Sequence, residues 1–179
     1  LARRSLLRPG GAVLDLGCGA GAATGWLARA YPETTFLGVD LNDDLVRWGR
    51  ERLSGTPNLQ LETGDLYDLP ESYVGRFDGV ILLQTLSWLP EPEAPLQAIG
   101  RLGPRWLACS SLFYDGPVDC TIHVRDRSKR AGDRSFVETY YNVYALDSMR
   151  SLLERVGFVR TEAEPFELGI DLPRPEDRG

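Results

Sequence analysis

Short apolar runs alternate with helical hydrophobic patterns along most of this chain. The segment Ala12–Leu16 (AVLDL) predicts a buried strand because it is continuously apolar apart from one aspartate. Ala23, Trp26, Leu27 and Ala30 follow at spacings of three, four and seven residues, which predicts a helix with these side chains on its inner face. The chain therefore begins with a strand followed by a helix.

The same alternation continues to the last third of the chain. A second helix is predicted after Asn42, a suitable N-cap, with Leu45, Trp48 and Leu53 facing inward. A third covers residues 94–102, and a fourth begins at Asp147 as its cap and ends before Gly157. Further strands are predicted at residues 36–39, 58–62, 77–83 and 106–112, and within 158–170.

Strands that alternate with helices predict an α/β fold with a doubly wound, mostly parallel sheet. Residues 113–145 break the alternation with two stretches, 120–125 and 135–141, around a polar turn. We interpret them as a β-hairpin inserted before the last helix, on the substrate side. We expect residues 1–179 to form a single domain that is trimmed at both ends, since the first residue is Leu1.

Composition narrows the class of protein. With 42% hydrophobic and 26% charged residues the chain is typical of globular domains, and its net charge of −6 disfavours broad binding to nucleic acid. The clearest apolar run, residues 80–83, is too short to span a membrane, and no leader pattern opens the chain, so we expect a cytoplasmic protein. Three scattered cysteines and one histidine predict neither a metal site nor disulfides.

The segment Asp15-Leu16-Gly17-Cys18-Gly19-Ala20-Gly21 lies between the first strand and the first helix. Glycines let the backbone turn tightly and approach a ligand closely, and the helix that follows offers free N–H groups. Ligands of open α/β sheets bind beyond the carboxyl ends of the strands. A tight turn without a ligand remains an alternative, and Gly17-x-Gly19-x-x-Ala22 also fits the dinucleotide pattern.

Two acidic residues strengthen the ligand-binding interpretation. Asp40 ends the second strand, where a carboxylate can accept hydrogen bonds from both hydroxyls of a ribose. Asp65, preceded by Gly64, follows the third strand and could accept one from an adenine amino group. Aspartates are also common at turns and N-caps, so each alone is weak evidence, but the combination with a glycine loop is rare.

At these motifs the sequence resembles the class I S-adenosylmethionine-dependent methyltransferases. The resembling segments are residues 13–21, 38–40, 64–66, 77–86 and 155–158. The resemblance implies a Rossmann-like sheet of seven strands in the order 3-2-1-4-5-7-6, with the seventh antiparallel. It also implies S-adenosylmethionine as the methyl donor and S-adenosylhomocysteine as the product.

The resemblance assigns roles to residues by position. Gly17, Gly19 and Gly21 would form the floor under the methionine part of the cofactor, and Asp15 would lie near its amino group. Asp40 would hold the ribose, Asp65 and Leu66 the adenine, and Gln84 would lie beside the sulfonium. Cys18 and Leu41 complete the predicted cofactor-binding set.

The methyl acceptor is predicted to be a small molecule that reacts through oxygen or nitrogen. The segment after the fourth strand, Leu83-Gln84-Thr85-Leu86, lacks the motif of enzymes that methylate amino groups of nucleic-acid bases. His123 is the one histidine and thus the candidate general base, although a structural place in the hairpin is the alternative. Trp88, Tyr140, Tyr141 and Tyr144 could wall an acceptor pocket or belong to the core.

Two other classes of function remain open from sequence. A nicotinamide-dependent, NAD(P)-binding oxidoreductase would use Gly17, Gly19 and Asp40 but leaves Asp15 and Gly64-Asp65 without a role. A protein of methyltransferase fold that binds the cofactor or a partner, and transfers nothing, is the other. The oligomeric state is not predicted.

Overall fold

The computed structural model describes residues 5–126 and 137–165 of the chain. A five-stranded sheet forms its centre, with the strands in the order β3-β2-β1-β4-β5 and every neighbouring pair parallel. These strands are β1 Ala12–Leu16, β2 Thr35–Asp40, β3 Leu59–Thr63, β4 Gly79–Leu83 and β5 Trp106–Ser110. The helices are α1 Ala22–Ala30, α2 Asp43–Arg52, α3 Glu93–Leu102 and α4 Leu146–Arg155. The α/β fold with a mostly parallel sheet is confirmed.

The central strands β1 and β4 are apolar except for Asp15, because both of their faces are covered. Side chains alternate across a strand, so Leu14, Val80 and Leu82 pack on one face with residues of α3 and α4. Val13 and Ile81 point to the other face, where they pack with Leu27 of α1. The parallel register brings the carboxyl ends of all five strands to one edge of the sheet, which we call the carboxyl edge.

The inserted hairpin is present. β7 (His123–Asp126) pairs antiparallel with β8 (Val137–Tyr140), and the polar turn that was predicted between them lies outside the described residues. The strand predicted at 106–112 is divided, since β5 ends at Ser110 and a separate strand, β6 (Leu112–Tyr114), pairs in parallel with β9 (Val143–Ala145). No helix within the described ranges is long and apolar enough to cross a bilayer.

The predicted helix faces need correction. Trp26 is 63% exposed and Trp48 52% exposed. Leu27 is buried as predicted, but the other residues that α1 and α2 bury are small or β-branched. In α1 they include Thr24, Gly25 and Ala28, and in α2 they are Val46 and Gly49. Hydrophobic spacing therefore predicted both helices and the inward position of Leu27 correctly, but it wrongly placed Trp26 and Trp48 on the inner faces.

The fourth helix and the segment after it also differ from expectation. Asp147 lies within the first turn of α4, whose N-cap is Ala145, and the Ala145 N–H donates to Asp119 Oδ1 at 2.7 Å. Residues 158–165 contain no strand, and the rest of the predicted strand, 166–170, lies outside the described residues. The described sheet thus matches the first five strands of the order that the resemblance implies.

Candidate functional site

The glycine loop leaves β1 at the carboxyl edge and leads into α1. Gly17, Gly19 and Gly21 have φ angles of 75°, 56° and 73°, a region that other residues rarely adopt. A Cβ at Gly17 would lie 2.4 Å from Thr85 Oγ1, so the loop packs tightly against the segment after β4. At Gly19 no atom lies within 4 Å of the Cβ position, so this part of the loop borders open space.

Asp40 joins the glycine loop to the start of α2. Its Oδ2 accepts from the Gly19 N–H at 2.7 Å, and its Oδ1 accepts from the Asn42 N–H at 2.9 Å. Asn42 is the N-cap of α2, as predicted, since its side chain accepts from the Leu45 N–H. A carboxylate oxygen can accept more than one hydrogen bond, so Asp40 keeps capacity for the hydroxyls of a ligand.

Asp15 is the least accessible of the predicted site residues, with 1% exposure. Thr24 of α1 donates to Asp15 Oδ2, whereas Oδ1 is buried and no described residue donates to it. Burial raises the pKa of Asp15 to about 6, the Thr24 hydrogen bond opposes this, and the charge of Asp40 adds to it. A buried carboxyl oxygen without a donor suits a site that a polar group of a ligand, or a water beneath it, completes.

The other predicted cofactor residues follow β2, β3 and β4 at the same edge. Leu41 is 71% exposed, and Asp65 is exposed with its Oδ1 accepting from the Tyr67 N–H at 2.9 Å. Gln84 has a φ of 62°, which is uncommon for a residue with a side chain, and its side chain is exposed. The topology therefore brings the loop, Asp40, Asp65 and Gln84 to one edge, and their roles toward a cofactor stay predictions.

Cys18 within the loop is poorly suited to act as a nucleophile. Burial raises the pKa of its thiol to about 12, and the negative charges of Asp15 and Asp40 contribute. The thiolate is the reactive form of cysteine, so Cys18 stays protonated at neutral pH. Its side chain instead packs close to Gly38, where a Cβ would lie 2.9 Å from Cys18 Sγ.

The predicted acceptor residues separate into two groups. His123 stacks on Tyr140 with ring centroids 4.8 Å apart, and Trp88 meets Tyr141 edge-to-face at 5.6 Å. Tyr144 is buried in the core, with its hydroxyl donating to the Leu86 carbonyl at 2.9 Å. Tyr144 thus has little surface that a ligand could contact. The other four predicted residues are at least partly exposed: Trp88, His123, Tyr140 and Tyr141.

Sequence reasoning missed several residues that build this region. Thr24 donates to Asp15, and Thr85 donates to the Leu16 carbonyl beside the loop. No motif or spacing identified Thr24, and Thr85 lies in the segment 77–86 without having been given a role. Tyr67 lies two residues after Asp65 at the carboxyl edge, and its side chain as a whole is 39% exposed. Partial burial raises the pKa of its hydroxyl to about 12. The nearby groups that add to this shift are Glu91, Asp65, Tyr144 and Tyr140. Glu138 lies beside His123 across the hairpin, a proximity that required the register of the two strands.

The described cavities lie elsewhere. One of about 410 Å³ lies between α2 and β3 and is lined by residues such as Arg50, Leu53 and Glu62. Another of about 230 Å³ lies near the amino ends of the strands, beside Phe36 and Arg76. Neither is lined by a predicted site residue.

Comparison with known proteins identifies similar domains. A family model described as "Methyltransferase domain" matches residues 13–102, which contain the glycine loop, Asp40, Asp65 and Gln84. An uncharacterized 37.1 kDa protein of transposon TN4556 from Streptomyces fradiae is 41% identical over 137 residues, which are 70% of this chain and 40% of that protein. The trans-aconitate 2-methyltransferase of Deinococcus radiodurans is 40% identical over 85 residues, covering 47% of this chain and 30% of the enzyme.

A solved structure supports the fold. The N-terminal domain of EvdMO1, in the presence of S-adenosylhomocysteine and D-fucose, matches with a TM-score of 0.64 and 24% identity, covering 89% of this chain and 71% of that one. The chain spans less than half the length of the two curated relatives above.

Proposed function

The chain belongs to the class I S-adenosylmethionine-dependent methyltransferase family, and from that premise we propose that it transfers the methyl group of S-adenosylmethionine to an oxygen or nitrogen of a small molecule. The observation that carries the proposal is the glycine loop, whose Gly19 N–H is bound by Asp40 and whose surface borders open space. The nicotinamide alternative gives no role to Asp15 or Asp65.

The side chains at the carboxyl edge suit the functional groups of this cofactor. Asp40 and Asp65 supply carboxylate acceptors for ribose hydroxyls and an adenine amino group, and the buried Asp15 lies beneath the place proposed for the methionine part. Backbone N–H groups at the start of α1 face the same loop. When bound, S-adenosylmethionine supplies a methyl group already activated by a positively charged sulfur.

Because the donor is activated, the tasks left to the chain are binding, alignment and exclusion of water. Asp40 and the loop would fix the nucleoside, and the exposed Gln84 would stand near the reacting end of the cofactor. The acceptor would enter from the side of the hairpin, where Trp88, Tyr140 and Tyr141 provide aromatic surface. The net charge of −6 favours a small molecule over a nucleic acid as acceptor.

The proposal is tested by the affinity for S-adenosylhomocysteine, measured by calorimetry. We expect Asp40→Ala to weaken binding by about 10- to 100-fold, because hydrogen bonds to a charged group contribute roughly 1.5–3 kcal/mol each. Asp40→Asn, which keeps one acceptor oxygen, should lose less. Asp44→Ala is the matched control, since Asp44 is an exposed acid in the first turn of α2 that pairs with Arg47.

Three results would count against parts of the proposal. Unchanged affinity in Asp40→Ala, with circular dichroism showing an intact fold, would contradict the assigned site. Binding of NADH in place of S-adenosylhomocysteine would contradict the cofactor. Tight binding without methyl transfer to any of a broad set of acceptors would favour the non-catalytic alternative.

A further inference from the structure

Asp15 is a carboxyl group that the fold encloses without supplying a positive charge. The residue is 1% exposed, and within the described part of the chain Thr24 donates to its Oδ2 while no group donates to its Oδ1. Taking an ionised carboxylate out of water is costly unless hydrogen bonds and an opposite charge replace the water. The enclosed carboxyl is therefore an incomplete site, and a cation that also donates hydrogen bonds would complete it.

The elements packed around Asp15 add negative charge and leave positive charge at a distance. β2 contributes Asp40, whose charge disfavours the ionised form of Asp15, and the glycine loop contributes Cys18, whose thiol stays protonated. Among these described elements, β4 and the segment 84–88 after it contain no titratable side chain. The one charged residue of α1 is Arg29, which lies in the last turn of the helix, at the end farther from the glycine loop. The compensating charge is thus left to a ligand.

Uncompensated burial favours the neutral acid in the ligand-free protein. Burial raises the pKa of Asp15 to about 6, the Thr24 hydrogen bond opposes the shift, and the charge of Asp40 adds to it. At about pH 5.5, roughly three quarters of the molecules therefore carry a proton on Asp15. A positive charge within about 4–6 Å favours the ionised form, whether it contacts the carboxylate or is separated from it by one water.

The proposed cofactor has one group of the required kind. Its methionine part carries an ammonium, a cation with three N–H donors, and S-adenosylhomocysteine retains this ammonium after the methyl group has left. The glycine loop that follows Asp15 borders open space at Gly19, so a ligand can lie against the loop. The ribose hydroxyls and the adenine amino group are uncharged, so the ammonium is the part of S-adenosylhomocysteine that can balance a buried carboxylate.

We propose that Asp15 gives up a proton when the cofactor binds, so that the site exchanges a proton for the ammonium of the ligand. This inference rests on the proposed function. In the step, the O–H bond of the Asp15 carboxyl breaks with its electron pair left on oxygen, and the proton passes to water. The carboxylate that results is stabilised by the ammonium, and no covalent bond to the ligand forms.

The exchange makes the affinity for S-adenosylhomocysteine depend on pH in one direction. The ligand keeps its ammonium and its carboxylate charged between about pH 5 and pH 7, so the change arises in the protein. Free Asp15 gains its proton as the pH falls through about 6, whereas Asp15 in the complex stays ionised to lower pH. We expect the Kd to be about 5- to 10-fold higher at pH 5 than at pH 7.

The test measures the released protons directly. Calorimetric titration with S-adenosylhomocysteine, repeated in buffers of different ionisation enthalpy, gives the number of protons released for each ligand bound. We expect about 0.5–0.8 proton at pH 5.5 and less than about 0.2 at pH 7. 5′-Methylthioadenosine contains the adenosine and the sulfur but no ammonium, so it should bind without releasing a proton.

Asp15→Asn is the matched variant, because its amide keeps an oxygen for Thr24 and cannot ionise. It should bind S-adenosylhomocysteine without releasing a proton, and its affinity should change by less than about twofold between pH 5 and pH 7. Asp44→Ala, which removes an exposed acid paired with Arg47, should release as many protons as the wild type.

The outcomes separate this inference from the proposed function. Binding of S-adenosylhomocysteine to the wild-type protein at pH 5.5 without proton release would overturn the exchange and leave the function standing. Equal release by Asp15→Asn, or on binding of 5′-methylthioadenosine, would assign the proton to another group. Absence of S-adenosylhomocysteine binding at pH 7 would instead contradict the proposed function.

An infrared measurement does not require the variant to bind. Difference spectra of the wild-type protein at about pH 5.5, with and without S-adenosylhomocysteine, follow the C=O stretching band of protonated carboxyl groups. We expect the ligand to remove part of this band, and we expect ligand-free Asp15→Asn to lack the same part. A band that the ligand leaves unchanged would show that Asp15 does not change its protonation, and it would overturn the inference.

Discussion

Asp15 holds a carboxyl group where water cannot reach it. Burial raises its pKa to about 6 in the folded state, whereas in the unfolded chain it ionises near the ordinary value of 3.8. Between these two pH values the folded protein therefore holds the carboxyl protonated while the unfolded chain does not. A carboxyl whose pKa is raised by folding costs stability once it must ionise. The cost grows as the pH rises from about 4 to about 6, and above that it is about 3 kcal/mol.

This cost predicts a stabilising substitution. Asp15→Asn removes the charge and keeps a hydrogen-bonding partner for Thr24, so we expect the free energy of unfolding to rise by about 1–2 kcal/mol at pH 7. Urea denaturation at a series of pH values measures it, and the gain should disappear near pH 4. A gain that is constant with pH would show that the ionisation of Asp15 is not its source.

The same residue shows what sequence could and could not predict at this scale. The place of Asp15 before the glycine loop is evident from the motif, and so are Asp40 after β2 and Asn42 as the cap of α2. The partner of Asp15, Thr24, lies nine residues away on α1, and its contact depends on how that helix lies on the sheet. Glu138 next to His123 likewise follows from the hairpin register and not from any local pattern.

At the scale of elements, α1 and α2 approach their neighbours through small residues, α2 at the glycine loop and α1 at the end of α2. A Cβ at Gly49 of α2 would lie 2.5 Å from the Ala20 carbonyl oxygen, and one at Gly25 of α1 would lie 2.8 Å from Leu53 Cδ2. The absence of side chains at these points lets the backbones come close together. Trp26 and Trp48 remain on the outer surface, where Trp48 stacks with Arg52.

This packing explains why hydrophobic spacing predicted the helices but assigned several exposed side chains to their inner faces. Helical hydrophobic spacing is recognised mainly from large apolar residues. Three of these residues, Trp26, Leu45 and Trp48, are exposed. Glycine carries no hydrophobic signal, although close approach is the reason for its presence. Where the inner face is large and apolar, as at Leu96 and Ile99 of α3, the side chains are buried.

The close approach of α2 predicts an unusual effect of alanine. Replacing glycine within a helix by alanine normally stabilises by about 1 kcal/mol. For Gly49→Ala we expect destabilisation by about 2–3 kcal/mol, because the new Cβ meets a backbone carbonyl that cannot rotate away. Thermal and urea denaturation measure the difference.

Gly55 provides the control for that substitution. It lies shortly after α2, and no atom is within 4 Å of its Cβ position. Gly55→Ala should therefore change the free energy of unfolding by less than about 0.5 kcal/mol. Stabilisation by Gly49→Ala would mean that α2 can move away from the loop and that its close contact is not required.

At the scale of the molecule, the alternation of strands and helices predicted the parallel sheet, and the family resemblance implied the order of its first five strands. The pairing of β6 with β9 could not be predicted in this way, since its two strands are short and lie on either side of the hairpin. What joins them to the sheet is a set of hydrogen bonds centred on Asn142, which is 1% exposed.

Asn142 connects the insertion to the segment after β4 by both its backbone and its side chain. Its N–H donates to the Ser87 carbonyl at 2.9 Å, and its Nδ2 donates to the Leu89 carbonyl at 2.8 Å. Its Oδ1 accepts from the Ile122 N–H at 3.3 Å, at the start of the hairpin. Asn142, which directly precedes β9, therefore links the hairpin to the 3₁₀ helix Leu86–Trp88 that follows β4.

This arrangement predicts that a mutation at Asn142 can loosen the hairpin without weakening cofactor binding. Asn142→Ala removes the hydrogen bonds to the half-buried Leu89 carbonyl and to the Ile122 N–H, so we expect a loss of about 1–2 kcal/mol of stability. Hydrogen exchange should accelerate at Ile122 and Tyr141, while the affinity for S-adenosylhomocysteine changes by less than about twofold. The reason is that Asp40 and the glycine loop contact β2, α2 and Thr85, and Asn142 hydrogen-bonds to none of these.

Tyr141→Phe, one residue away, keeps the ring against Trp88 and alters only an exposed hydroxyl, so it should reproduce none of these changes. If Asn142→Ala weakened cofactor binding as strongly as Asp40→Ala while the fold stayed intact, the two halves would be coupled through the 3₁₀ helix that follows Gln84 and Thr85. Since Thr85 donates to the Leu16 carbonyl beside the loop, that coupling has a direct structural route. The affinity for S-adenosylhomocysteine, measured in Asn142→Ala and in Asp40→Ala, therefore decides between two roles of the insertion. It either contacts only the acceptor, or it also determines the geometry of the cofactor site.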